Sequence, residues 1–324
     1  VIGRSAWALA GLVLVVAIVA MPFVAGAYPL RVATIGFMYV VLASSWNIIG
    51  GFAGYPSFAT AAFFGLGAYA AAIARLQGNV PLVAAWCFGA LVAASFAIAL
   101  GYAILGLRGH YFAVASLVIA AVLREIVNGA TALTGGGMGL NLPAASGVAM
   151  QARLYYGVMA VAAVATIGAA AAISRGRLGW ALRCIDQNED AAVVLGIDTR
   201  AAKVAAFGVS ALATGLAGAI YATWIGYIDP TDVFDDIRSV NPIVMTFLGG
   251  IGTVMGPVVG ALIFLTLEEL VWRNALGFHA GILGLIIVAL LVFLPGGLGS
   301  LRERAGGAWS RRQARKAAAA TVPR

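Results

Sequence analysis

The stretch Val204-Ala-Ala-Phe-Gly-Val-Ser-Ala-Leu-Ala-Thr-Gly-Leu-Ala-Gly-Ala-Ile-Tyr-Ala-Thr-Trp-Ile225 carries no charged side chain and does not alternate with period two. A helix rises about 1.5 Å per residue, so a run of this length crosses the ~30 Å hydrocarbon core of a bilayer. No water reaches that core to satisfy free backbone groups, so a continuous apolar segment must bond within itself, as a helix does. The glycines and alanines of the run fit the same reading. Lipid tails are as apolar as leucine, so membrane helices associate by close packing, which small side chains permit.

The rest of the chain repeats this pattern. Hydrophobic residues fill 62% of 324 positions, charged residues only 10%, and the mean hydropathy is +0.99. A soluble domain carries about a quarter charged residues, so this chain lacks the charge to cover itself in water. Breaks at glycine, proline and charge clusters divide it into candidate spans at 6–24, 32–49, 57–74, 82–106, 111–127, 154–173, 204–225, 239–255, 257–273 and 277–295. The expectation is an all-α integral membrane protein of about ten transmembrane helices, with a membrane domain over 1–301. The segments 111–127 and 239–273 are the least certain to cross fully. The first run follows Arg4 and precedes Ala25-Gly26-Ala27, as a cleavable signal peptide would. Its length and the many spans behind it favour an uncleaved helix.

Charge sets the orientation, because lysine and arginine gather on the cytoplasmic side. The tail 302–324 holds Arg302, Arg304, Arg311, Arg312, Arg315, Lys316 and Arg324 against Glu303, and 174–203 holds Arg175, Arg177, Arg183, Arg200 and Lys203. The segment 226–238 carries Asp229, Asp232, Asp235 and Asp236 with one arginine. The tail and 174–203 are therefore expected in the cytoplasm and 226–238 outside. The parity of the ten spans agrees and places both termini in the cytoplasm. The basic tail reads as a disordered anchor near anionic lipid rather than a nucleic-acid site.

No enzyme or motor signature is present. The lysines Lys203 and Lys316 lie outside any phosphate-cradling glycine loop, and His110 and His279 lack metal-ligand spacing. Cys87 in an apolar run and Cys184 in a basic loop suggest no disulfide. The informative stretch is Gly179-Trp-Ala-Leu-Arg-Cys-Ile-Asp-Gln-Asn-Glu-Asp-Ala-Ala-Val-Val-Leu-Gly-Ile-Asp-Thr199. Asp186 and Glu189 have capping-box spacing, which predicts a helix over Gln187–Leu195 ended by Gly196 in a left-handed cap. Asp198 or Thr199 is placed to cap the helix that continues through Lys203. Ala191, Ala192, Val194 and Leu195 give the short helix an apolar flank. Such a helix is marginal alone, so it either docks in a partner's groove or lies on the membrane surface.

The run Glu189-Asp-Ala191-Ala192-x-x-x-Gly196 resembles the loop by which ABC importer permeases dock on their ATPases. The longer pattern from Arg183 and Asp186 through Gly196-Ile-Asp to Lys203-x-x-Ala206-Phe207 resembles branched-chain amino-acid permeases in particular. Leu107-Arg-Gly-x-Tyr-Phe-Ala113, Leu133-Thr-Gly-Gly-Gly-x-Gly-Leu140, Gly249-Gly-Ile-Gly-Thr-x-x-Gly-Pro257 and the closing Pro295-x-Gly297-Leu298 extend the resemblance across about 40–300. Asp190 departs from it, standing where the strict docking motif has alanine. The resemblance implies a bacterial inner-membrane permease subunit for branched-chain amino acids, with no cofactor of its own. It implies a homologous second permease, two ATPase subunits that bind ATP, and an extracytoplasmic substrate-binding protein. Arg183, Asp186, Glu189, Ala191, Ala192, Gly196 and Lys203 are then the ATPase-coupling residues. A permease for urea or short amides and a secondary transporter working alone are the alternatives.

Two glycine breaks interrupt apolar sequence, one with Gly51, Gly54 and Pro56, the other with Gly250, Gly252 and Pro257. Interrupted helices often mark transport pathways. The two breaks are expected at an inner gate, or more plainly as tight turns. Within the spans, Arg124 is expected to pair with Glu268 or Glu269, since an ionised group in hydrocarbon pairs or snorkels to an interface.

Overall fold

The computed structural model describes residues 20–22, 26–107, 109–143, 148–274 and 284. The basic tail, the expected last span apart from residue 284, and most of the first span lie outside the described residues. The remaining spans all meet helices: α1 (Ala27–Ile49), α2 (Thr60–Leu76), α3 (Leu82–Ile104), α4 (His110–Gly129) and α5 (Val148–Arg175) come first. The short helices α6 (Arg177–Gln187) and α7 (Glu189–Val194) lead to α8 (Thr199–Ile225), and α9 (Ile237–Gly249) and α10 (Gly256–Asn274) follow. Of these, α1, α3, α4, α8 and the part of α5 from Met150 are long and apolar enough to cross a membrane.

The helix α8 is the hub. It packs on α1, α2 and α3, and with α1 it is the most buried of the long helices. Its backbone touches its neighbours because glycines face one another. A Cβ on Gly67 would stand 2.2 Å from the Gly215 carbonyl oxygen, and one on Gly218 would stand 2.1 Å from that of Phe64. Neither contact survives a methyl group, so small residues set the distances within this bundle. The hydroxyls of Ser45 on α1 and Thr214 on α8 meet at 2.9 Å in the interior. The ends of α8 follow from its sequence. Asp198 caps the start by accepting from the Ala201 N–H at 2.9 Å, and Gly226 ends it at φ +79°.

The segment after α8 departs from the expected span 239–255. The helix there is only 13 residues long and contains Pro242. It rises about 20 Å, short of a bilayer's thickness. The difference lies at its far end, for the helix begins at Ile237 and stops at Gly249, where Gly250 takes φ +121°. The segment before it and its own first turn pack on α2 and on the turn that precedes α2. Phe234 stacks on Tyr69 with centroids 6.1 Å apart, and Ser239 donates to Phe58 O at 2.7 Å while accepting from Ala61 N at 2.9 Å. Beyond the break at 250–255, α10 returns against α9. The approach is as close as backbone allows, since a Cβ on Gly249 would lie 1.7 Å from Gly256 O.

At the acidic end of α8, β1 (Leu140–Asn141) pairs antiparallel with β2 (Tyr227–Ile228). This ties the glycine-rich stretch Gly135–Gly139 to the acidic segment.

Candidate functional site

The basic end of α8 is where most sequence-predicted residues converge. The chain leaves α5, turns at Gly176 and forms α6, whose Leu178, Leu182 and Ile185 recur on one face and pack inward. Arg183 donates to Ser174 O at 2.7 Å, satisfying a carbonyl in the last turn of α5. The helix boundary here corrects the sequence reading. Asp186 lies in the last turn of α6, and Asn188 caps α7 by accepting from the Ala191 N–H at 3.0 Å. Asn188 competes for the cap because both residue types favour that position. Gly196 follows the short helix with φ +82°, the left-handed conformation expected of it.

Glu189, freed from a capping box, points instead to Lys203. Its Oε1 accepts from Lys203 Nζ at 2.6 Å, with side-chain exposures of 14% and 3%. Lys203 also donates to Leu105 O at 2.8 Å and to the Tyr55 hydroxyl at 3.0 Å. All three ammonium hydrogens therefore have acceptors, which is what makes a buried lysine tolerable. The Tyr55 hydroxyl in turn donates to Glu189 Oε2, and its ring lies 4.5 Å from Nζ. Phe112 packs edge-on against that ring at 5.4 Å. One buried junction thus joins α7, α8, the end of α3, the start of α4 and the first glycine break, which holds Tyr55. Tyr55 went unnoticed in the sequence, where nothing distinguishes it from other membrane tyrosines.

The two glycine breaks meet beside this junction. Asn47, fully buried near the end of α1, accepts from the Gly252 N–H at 2.9 Å and donates to Thr253 O at 2.8 Å. The Gly252 backbone approaches Gly51 so closely that a Cβ would lie 3.0 Å from the Gly51 oxygen. On the other side, a Cβ on Gly54 would lie 2.2 Å from Asp186 Oδ1. Gly51, Gly54, Pro56, Arg183, Asp186 and Gly252 line one cleft of about 470 Å³, with Trp46 and Phe247 as its apolar wall. Partial desolvation at the cleft pushes the Asp186 carboxyl above the ordinary carboxylate range, although the residue as a whole stays exposed. Gly250 at φ +121° ends α9 and the buried Pro257 lies in the first turn of α10; neither lines the cleft.

Of the apolar flank expected on the loop, Ala192 packs inward. Ala191 is exposed, as are Val193, Val194 and Leu195, and so is Trp180 on α6. A five-residue group with these side chains in the open presents apolar surface at the end of the bundle, where polar residues are the norm.

The other charges are distributed separately. Arg238 is buried between the rings of Phe64 and Tyr221, donating to Asp232 Oδ1 at 2.6 Å and to the Tyr221 hydroxyl at 3.0 Å. On α4, Arg124 lies 3.7 Å from its neighbour Glu125, and on α10 Glu269 accepts from Tyr28 at 2.8 Å.

Comparison with known proteins adds an independent line. The family described as "Branched-chain amino acid transport system / permease component" matches residues 28–295. The high-affinity branched-chain amino acid transport system permease protein LivM of Escherichia coli K12 is 25% identical over 312 residues, covering 88% of this chain and 73% of its own. Its counterpart in Salmonella typhimurium is 24% identical over the same coverage. The autoinducer 2 import system permease protein LsrC of Escherichia coli O9:H4 is 27% identical over 153 residues, covering 44% of this chain and 45% of its own. No solved structure is significantly similar to the chain.

Proposed function

The chain belongs to the branched-chain amino acid transport system permease component family, and from that premise we propose that it is a membrane subunit of an ATP-driven importer for branched-chain amino acids in the bacterial inner membrane. Permeases of this kind work with other subunits. In our reading these are a homologous second permease that completes the pathway, two ATPases, and a binding protein that delivers substrate from outside. Both termini and the loop 174–203 face the cytoplasm. ATP binds to the partner subunits, and this chain supplies half of the pathway and the surface on which ATPase motion acts.

The observation that carries the reading is the junction at the basic end of α8. Exposed Val193, Val194 and Leu195 stand on a helix whose base is anchored by the buried Glu189–Lys203 pair. An exposed apolar surface is suited to a partner, and a buried anchor is suited to carrying that partner's force inward. The glycine turns that receive the force line the cleft, and we assign them to the inner gate.

Relatives named for different cargoes match this chain, which supports a reading in which related permeases accompany different solutes. Selectivity then rests largely with the binding protein. The test is uptake of labelled leucine into vesicles containing the chain with and without its partners. Import that requires internal ATP and external binding protein is expected. Uptake by the chain alone, driven by an ion gradient, would refute the assignment.

A further inference from the structure

The loop helix and the glycine turns are separate in sequence, yet they are joined by more than proximity. Three contacts form an unbroken line. The Tyr55 hydroxyl bridges Glu189 and Lys203; Asp186 Oδ1 rests against the Gly54 backbone; and Asn47 holds Gly252 and Thr253 beside Gly51. Glycine makes the second and third contacts possible, because any side chain at Gly54 or Gly51 would separate the parts. Tyr55 is the one link in which a side chain of the first break enters the buried ion pair directly. Its ring is buried between Phe112, edge-on at 5.4 Å, and the Lys203 ammonium at 4.5 Å.

We propose that Tyr55 is the positioning residue that locks the loop helix α7 and the two glycine turns into one rigid unit, so that displacement of α7 moves the cleft as a body. The inference rests on the reading of α7 as the site of ATPase action. Replacing Tyr55 with phenylalanine keeps the ring, its contact with Phe112 and the Glu189–Lys203 pair, and removes only the bridge. The unit should then slip under load.

The experiment is leucine import and ATP hydrolysis measured together in proteoliposomes holding the full complex. Tyr55→Phe should still hydrolyse ATP when loaded binding protein is added, while leucine imported per ATP falls roughly tenfold or more, since the bridge lost comprises two hydrogen bonds to charged groups. A variant with the wild-type ratio overturns the proposal. A merely structural tyrosine would lower import and hydrolysis together. A second measurement needs no change at Tyr55. Spin labels at Val194→Cys and Ile251→Cys, with Cys87 and Cys184 replaced by serine, should keep one separation with and without nucleotide. A separation that changes with nucleotide overturns the rigid unit. If wild-type import needs no ATP, the functional reading falls first, and that arm shows it independently of the variant.

Discussion

Removing Glu189 tests the buried junction most severely. Lys203 has 3% of its side chain exposed and uses its three hydrogens on Glu189, Leu105 and Tyr55. Glu189→Leu deletes the only carboxylate among those three acceptors and leaves an ammonium that water cannot reach. Breaking a buried pair from one side costs about 3–5 kcal/mol, because the remaining charge is uncompensated. Lys203→Met is milder, at roughly 2–3 kcal/mol, since Glu189 is more open and keeps the Tyr55 hydroxyl as a donor. The double variant removes both charges and fills the space with apolar groups, so it should return to within about 1 kcal/mol of wild type. The coupling energy of the cycle is then about 4 kcal/mol or more. Thermal denaturation of the detergent-purified protein, with the four proteins compared side by side, reads it out. Simple additivity of the two single changes would refute the reasoning, because it would mean that neither charge depends on the other.

Gly196→Val should cost about 1–2 kcal/mol, mainly through backbone strain, since φ is +82° and an added Cβ meets no neighbour. Membrane abundance should hold while import falls. Gly249→Ala should be far worse, because its methyl would sit 1.7 Å from Gly256 O, and the α9–α10 hairpin must open; protease resistance of the isolated chain reports the loss. Partial desolvation raises the pKa of the Asp186 carboxyl. A raised carboxyl pKa favours folding at pH below the unfolded value, and that benefit is lost as pH rises through the folded one. Asp186→Asn should therefore be slightly more stable than wild type at neutral pH, with the gap closing on acidification; thermal midpoints across about pH 4–7.5 check the sign.

Much of the architecture was legible because hydrocarbon imposes a simple rule. The uncharged run around Gly208–Ala222 has one stable conformation in lipid, and its ends are marked by Asp198 and Gly226. Gly196 was legible for the same local reason, since a helix stop without β-branching is a backbone signal. The loop helices were read less accurately. Asp186 and Asn188 are both of residue types that cap helices, and the sequence reading took Asp186 without weighing Asn188; the i, i+4, i+7 spacing of Leu178, Leu182 and Ile185 carries the α6 helix that contains Asp186. The length of α9 was overestimated at its far end, because the break was placed at Gly252–Pro257 while the helix already stops at Gly249, before Gly250 at φ +121°. The packing of Phe234 on Tyr69 and of Arg238 on Phe64 is tertiary and has no local signal. The junction itself was half visible. Glu189 and Lys203 stood out as charges, but their meeting with Tyr55 depends on a tertiary approach across 134 positions of sequence, which no local pattern encodes.

The most direct test of the account is contact at Val194, which is 87% exposed at the tip of α7. A photo-crosslinking amino acid there, in the assembled and transport-active complex, should form an adduct with an ATPase subunit. The same probe at Met138, 86% exposed in the glycine-rich loop at the opposite end of the bundle, should not. Adducts of the Val194 probe with lipid alone, in a complex that still imports leucine, would contradict the claim that this loop receives the ATPase.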